Sequence, residues 1–305
     1  MVQLDGKLMH PFDGHGFIRA VRFSEDGARL QTKFVDTPVY RAEKAAGRVL
    51  YRGVGSSVGG WWSNLWAPKG KNTANTCVVP WAGRLLALNE GGFPYAMDPE
   101  TLETTGLEEF GGAFDGLRTM LAHTRWDVAR DRLVMAGLQP GPKTGFTFVE
   151  LDRSGASVAR RDVKFDGMIF VHDFLITPSW YVIVENPVDP DLGALARFML
   201  GAGSLVEGLR CSERHARILL IAREGDEVRE VDLGRRLFSV HHGGAWEEDG
   251  DVVLDTTAFE SFKFGAEFGY GGPDAGLDPG VRTPGAGQKF QRFRLKPDGA
   301  VEHTV

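Results

Sequence analysis

The sequence predicts an all-β fold and, among all-β architectures, a propeller type. Three observations lead there. Runs rich in Val, Ile, Leu and Phe recur along the 305 residues: FIRAVRF, RLLALN, RLVMAGL, FTFVEL, WYVIVEN, ARILLIA, DVVLDTT and KFQRFRL. Branched and aromatic side chains pack well on a pleated surface, so such runs read as strands. Asp-Gly pairs at Asp13-Gly14, Asp26-Gly27, Asp115-Gly116, Asp166-Gly167, Asp249-Gly250 and Asp298-Gly299 punctuate them, and this dipeptide favours tight turns because Gly accepts positive φ. Helical stretches do not alternate with the runs, which argues against a parallel α/β sheet and leaves a sandwich, a barrel or a propeller. At this length the propeller is the best of the three.

Taken in order, FIRAVRF is the first clear strand. Residues 81–106, WAGRLLALNEGGFPYAMDPETLETTG, read as strand, turn, strand, Asp-Pro turn, strand, the meander of a propeller blade. Similar meanders follow at about 129–152 and 214–233. No strict repeat motif accompanies them. No linker interrupts the series, so residues 1–305 are expected to form a single propeller-type domain. One segment departs from the strand pattern. In DPDLGALARFMLGAGSLVEGLRCS, residues 189–212, Leu192, Leu195, Phe198 and Met199 stand at near-helical spacing. It reads as a short apolar helix, either packed on the core or acting as a lid over an apolar substrate, with contact to a bilayer surface left open.

Composition narrows the function classes. A hydrophobic content of 42% supports a sizeable core. Lys and Arg number 35 against 41 Asp and Glu, and no basic run occurs, so the electrostatic footprint of a nucleic-acid binder is missing. Cys77 and Cys211 lie far apart without a CxxC spacing, which speaks for reduced thiols rather than a disulfide scaffold. The first twenty residues carry no apolar secretory core. A cytoplasmic location is expected, with peripheral membrane contact open and the oligomeric state unread.

Three of the eight histidines share a setting: His123 in MLAHTRWD, His172 in IFVHDFLI and His241 in FSVHHGGAW each end an apolar run. Singly, each reads as a satisfied core or rim histidine. Together, on separate strand-turn units, they suit ligands delivered to one axis by successive blades. Imidazoles without cysteine or carboxylate nearby suit iron, copper, zinc or nickel. A competing signal is GSSVG, residues 55–59, which fits the G-x-S-x-G elbow of a serine hydrolase with Ser57 as nucleophile. That motif needs a strand before it and a helix after it, and GWWSNLWAPKG does not read as such a helix. His172-Asp173 matches a metal-phosphohydrolase dipeptide, but its neighbours are strand-like. P-loop, zincin and dinucleotide fingerprints are absent from the sequence.

The motifs resemble those of the carotenoid cleavage oxygenases, a family that includes the lignostilbene-cleaving enzymes. FDGHGFIRAVRF is similar to the family's early Phe-Asp-Gly motif, and NTANTCVVPWAGRLLALNEGGFPYAMDPETLETTG to its most recognisable blade. AHTRWD, VHDFLIT and HHGGAWEE resemble its first three metal-histidine motifs, in the family's order. The resemblance implies a seven-bladed propeller, of which this chain carries about five blades, in which four histidines hold a non-haem Fe(II) beneath an apolar lid. His123, His172 and His241 are then iron ligands. The offset to Glu247 selects His241 over His242, and strand alternation agrees by turning His242 outward. Glu90 in NEGG matches a position that accepts a hydrogen bond from a ligand imidazole; without the resemblance it reads as a solvated turn residue.

Departures are His15 for an acid, Thr124 for a proline and Gly244 for an asparagine. The resemblance also implies a missing N-terminal arm and a missing C-terminal part with the fourth histidine, since His303 in VEHTV does not match that motif. The implied activity is oxidative cleavage of a C=C bond in an apolar, conjugated small molecule by O2. Stilbene-cleaving members carry a lysine before the glutamate; Asn89 stands there, which leans toward a carotenoid or apocarotenoid over a stilbenoid. The contrasting reading is a non-catalytic propeller remnant that has lost its iron.

Overall fold

The computed structural model describes residues 3–4, 7–56, 58, 61–66, 71–139, 141, 143–259, 262, 264 and 287–305. Ahead of the main sheets, Phe17–Ser24 and Gly27–Phe34 pair as an isolated hairpin. Four antiparallel meanders follow. The first runs through Cys77–Trp81, Arg84–Leu88, Tyr95–Met97 and Thr104–Leu107. The second comprises Arg125–Asp127, Arg132–Gln139, Lys143–Leu151 and Ser157–Asp166, with Thr119–Met120 extending its first edge. The third is Phe174–Ile176, Trp180–Glu185, Arg217–Ala222 and Val228–Asp232. The fourth is Phe238–Glu248, Asp251–Phe259, Lys289–Leu295 and Val301–Thr304. In each, spatial order equals chain order, the pattern of a propeller blade.

The continuous apolar runs are explained by burial on both faces. On Arg132–Gln139, Leu133 and Met135 pack toward Leu86 and Leu88 of the first sheet, whereas Val134 and Ala136 pack toward Tyr181 and Leu219 of the third. On Arg217–Ala222, Leu219 and Ile221 face the second sheet, and Ile218 and Leu220 meet Val252 and Leu254 of the fourth. Side chains alternate between faces with period two. A strand covered on both sides therefore needs apolar residues at every position. Between the second and third sheets, the Phe148 and Tyr181 rings stack at 4.1 Å. Tyr181 donates to Glu150 at 2.7 Å, and Glu150 also pairs with Arg132 and Arg223. The turn between the first two strands of the fourth sheet uses Asp249 at φ 54° and Gly250 at φ 85°, as a hairpin matching strand twist requires.

The helices depart from expectation in two places. Pro38–Ala46 is helical, although the sequence reading assigned no helix there. Its boundary signals are regular: the Thr37 side chain accepts from the Tyr40 amide, Pro38 opens the helix and Gly47 closes it at φ 64°. Trp61–Trp66 also forms a short helix, where GWWSNLWAPKG was not expected to. Within 189–212 the helix is confined to Leu192–Met199, capped by Asp191, whose side chain accepts from the Ala194 amide at 2.9 Å. The strands Val188–Pro190 and Leu209–Cys211 pair beneath it and close the excursion. Among the described residues, no helix is long and apolar enough to cross a membrane.

Candidate metal centre

His123, His172 and His241 come together where the innermost strands of the second, third and fourth sheets meet. Each stands at an irregularity in its strand. His123 lies in the gap between Thr119–Met120 and Arg125–Asp127, two short strands that pair with the same neighbour. His172 lies between the isolated bridge of Phe170 with Asn186 and the strand Phe174–Ile176. His241 sits in a bulge, because the register of Phe238–Glu248 against Asp251–Phe259 shifts on both sides of His242. A regular ladder sends side chains straight off the sheet faces; a break or bulge re-aims them. The three histidines thus point toward one another rather than into the packed layers.

The Nε2 atoms of His123 and His172 are 3.0 Å apart. One ligand atom from each histidine can be chosen so that all lie within 4.8 Å of one another. Two nitrogens each about 2.1 Å from a common ion, at right angles, would be about 3.0 Å apart. The donor set of three imidazoles, without thiolate or carboxylate, suits a first-row transition ion.

Protonation follows the same arrangement. Burial lowers the pKa of His123 to about 4, with its histidine neighbours and Arg125 adding to the effect and Asp173 opposing it. Burial also lowers that of His241. Both are neutral at pH 7 and offer a lone pair. For His172 burial acts downward, but the Glu90 carboxylate outweighs it and the pKa is raised. Glu90 Oε1 is 2.7 Å from His172 Nδ1. A proton on Nδ1 fixes the tautomer and turns Nε2 toward the cluster.

His242 corrects the expectation of an outward, idle neighbour. It turns away from the cluster but into the interior, 9% exposed, with Nδ1 at 2.8 Å from Thr256 Oγ1 and 3.2 Å from Ser239 Oγ. Glu247 lies outside the cluster and serves as a strut: its carboxylate accepts from the Thr177 hydroxyl at 2.6 Å and the Ser179 amide at 2.7 Å, tying the fourth sheet to the third. The Asn89 amide is engaged internally, donating to Thr73 and Asn75 at 3.0 Å each.

A cavity of about 610 Å³ opens on the cluster. Its polar lining includes Glu90, Asn89, Asn75, Asp13, Lys71, Arg52 and the histidines; its apolar lining includes Phe170, Phe198, Met199, Leu205, Phe238, Phe262 and Phe264. Phe198, Met199 and Leu205 come from the 189–212 excursion. Arg52 lies 4.0 Å from the Phe198 ring centre, and Asn64 donates to the Gly201 carbonyl at 3.0 Å, which fastens the excursion across the cavity.

Sequence reading missed these fastening residues, since nothing local marks Arg52 or Asn64 as partners of residues more than a hundred positions away. His15 is bonded to Glu43 at 2.6 Å, His215 to Asp232 at 3.1 Å, and His303 pairs with Arg235 at 2.6 Å. Ser57 lies outside the described residues. A helix does follow it, but no strand precedes it in 51–56.

The family model described as retinal pigment epithelial membrane protein matches residues 2–305. Apocarotenoid-15,15'-oxygenase of Synechocystis is 35% identical over 266 residues, which cover 84% of this chain and 54% of that protein. A solved threonine-to-alanine variant of the Synechocystis apocarotenoid oxygenase superposes with a TM-score of 0.87 at 30% identity, covering 99% of this chain and 64% of the other. A cobalt-substituted form of the same oxygenase gives 0.81 at 30% identity, covering 97% and 62%. The chain spans about half the length of the curated relatives it matches. Matched from residue 2 to its last residue, the chain belongs to the retinal pigment epithelial membrane protein family of carotenoid cleavage oxygenases.

Proposed function

We propose that the protein is a non-haem Fe(II)-dependent dioxygenase that cleaves a C=C bond of a carotenoid or apocarotenoid, each carbon of that bond taking one oxygen atom of O2 to become a carbonyl. The observation that carries this reading is the convergence of His123, His172 and His241 in the lining of a cavity that also carries an apolar wall. The relatives' names as oxygenases, and the cobalt held by one of them, support it.

His123, His172 and His241 would hold the metal, with Glu90 orienting His172. Bound there, the ion supplies the activation of dioxygen that protein side chains cannot provide. The residues do the rest. Neutral imidazoles leave the site without a strong anionic ligand. The aromatic wall of Phe170, Phe238, Phe262 and Phe264 offers flat apolar surface to a conjugated chain. The excursion carrying Phe198 and Met199 shields the same space from water. Asn89, its amide engaged by Thr73 and Asn75, stands where stilbene-cleaving members carry a lysine, which favours a polyene over a stilbenoid.

The test is direct. Protein supplied with Fe(II) is analysed for iron, then incubated with an apocarotenal under air, and the products are separated by mass. Stoichiometric iron and two carbonyl fragments are expected. Absence of both would leave the non-catalytic remnant as the reading for this chain.

A further inference from the structure

We propose that Asp173 and Arg125 form a clamp that positions all three histidines through their backbones. This inference rests on the metal-centre reading.

Asp173 follows His172 directly and is buried, 2% exposed. Its Oδ2 accepts from Arg125 Nη2 at 2.6 Å and from the His242 backbone N–H at 3.2 Å, while Oδ1 accepts from the Phe174 amide at 2.8 Å. Arg125 closes the loop by donating Nε to the Phe174 carbonyl at 2.5 Å. One carboxylate therefore touches each of the three segments that carry a histidine. Arg125 lies two residues past His123, Phe174 two past His172, and the His242 amide is next to His241. None of these contacts is to an imidazole ring, so Asp173 and Arg125 are positioning residues.

The fold explains why such a clamp is needed. The innermost strands belong to different sheets, and among the described residues no ladder joins one sheet to the next. At each histidine the ladder within its own sheet is also interrupted. Backbone pairing therefore leaves the spacing of the three histidines loosely determined where it matters most. Charge-assisted hydrogen bonds to a buried carboxylate are short and directional, which suits them to hold that spacing. Arg223 with Glu150 and Asp127 also ties the second sheet to the third. General cohesion between those sheets is thus provided elsewhere, and the Arg125–Asp173 pair is distinguished by acting within two residues of all three histidines.

The experiment uses the full chain titrated with Co(II), reading the visible absorption of the bound ion and its affinity against a competing chelator. The variants are Asp173→Asn and Arg125→Lys, each nearly isosteric or charge-conserving. The control is Glu185→Gln, which removes another buried carboxylate in the third sheet, one paired with Arg217. Both clamp variants are expected to shift the absorption bands and weaken Co(II) binding about tenfold, the lower end of what outer partners of metal ligands contribute. The control is expected to lower the melting temperature while leaving bands and affinity unchanged.

Folded Asp173→Asn with wild-type bands and affinity overturns the clamp. So does a control that shifts the bands as far as the clamp variants do, since the effect would then be general loosening. Should Asp173→Asn fail to fold, Arg125→Lys decides alone, by the same criterion. Wild-type protein that takes up no cobalt overturns the metal-centre reading itself, and the clamp with it; cobalt bound equally by wild type and variants overturns only the clamp.

Discussion

The middle strands of the second and third sheets and their innermost strands are built on opposite rules. Arg132–Gln139, Lys143–Leu151 and Arg217–Ala222 are long and buried on both faces, and the first two pair with each other in one unshifted register. The innermost strands break at His123 and His172 and bulge at His241. Regular ladders make up the packed layers, and the proposed metal site lies where the ladder is interrupted. The two regions are thus expected to respond to substitution in different observables.

The largest effect separates two adjacent residues on one strand. His241→Ala removes one of three metal-facing imidazoles and is expected to abolish stoichiometric iron. His242→Ala is expected to keep the iron and to cost about 1–3 kcal/mol of stability, because the buried Ser239 and Thr256 hydroxyls lose a partner. Iron analysis and thermal melting on both proteins measure this. Iron retained by His241→Ala would break the comparison at its centre.

The regular region should show the converse. Phe148 is fully buried and stacked on Tyr181. Phe148→Ala should cost about 3–5 kcal/mol through lost burial and a residual cavity. Iron per folded molecule should stay the same. A urea titration followed by metal analysis of the folded fraction tests both halves.

The regular region was the legible one. Runs such as RLVMAGL and ARILLIA announce strands because each position must be apolar when neighbouring sheets cover both faces. The three histidines were reachable through their family-like surroundings, although the bulge that aims His241 was not, since a bulge depends on the register of a partner strand. Adjacent position alone suggested that His242 turns outward, and only the depth of the fourth sheet shows that its far side is interior. The helix Pro38–Ala46 was hidden by its shortness and its scarcity of large apolar residues, despite its Thr-Pro start and Gly stop. Arg125 and Asp173 sit beside the histidine motifs but meet each other across 48 positions, a pairing that local pattern does not encode.

Acid separates the two regions from a third, the helix Pro38–Ala46. Glu43 on that helix is buried, which raises its pKa, but hydrogen bonds from His15, the Leu50 amide and Lys71 outweigh this and hold it at about 2. A carboxylate depressed on folding contributes stability fully above its ordinary value of 4.5, and loses it as pH falls toward about 2. A shift of that size corresponds to roughly 3 kcal/mol. Metal should leave at higher pH, as protons compete for the imidazoles. Iron loss is therefore expected before the Glu43-dependent drop in stability, and Glu43→Gln should flatten only the latter. A single transition for both would mean that the regions are not independent.

The finest test lies at Glu90, which belongs to the first sheet's edge of the cavity yet acts on a histidine of the third. Its carboxylate is half-exposed, so it adds little to folding, but at 2.7 Å it sets which nitrogen of His172 carries the proton. Glu90→Gln keeps a hydrogen-bond acceptor and removes the charge. Metal affinity is expected to fall about 10- to 100-fold, with the melting temperature of the metal-free protein nearly unchanged. Chelator competition and a melting curve measure the two. A large drop in metal-free stability would place Glu90 with the structural residues and blur the division between the regular and the interrupted strands. An affinity loss alone would extend the interrupted region's function to a fourth segment of chain.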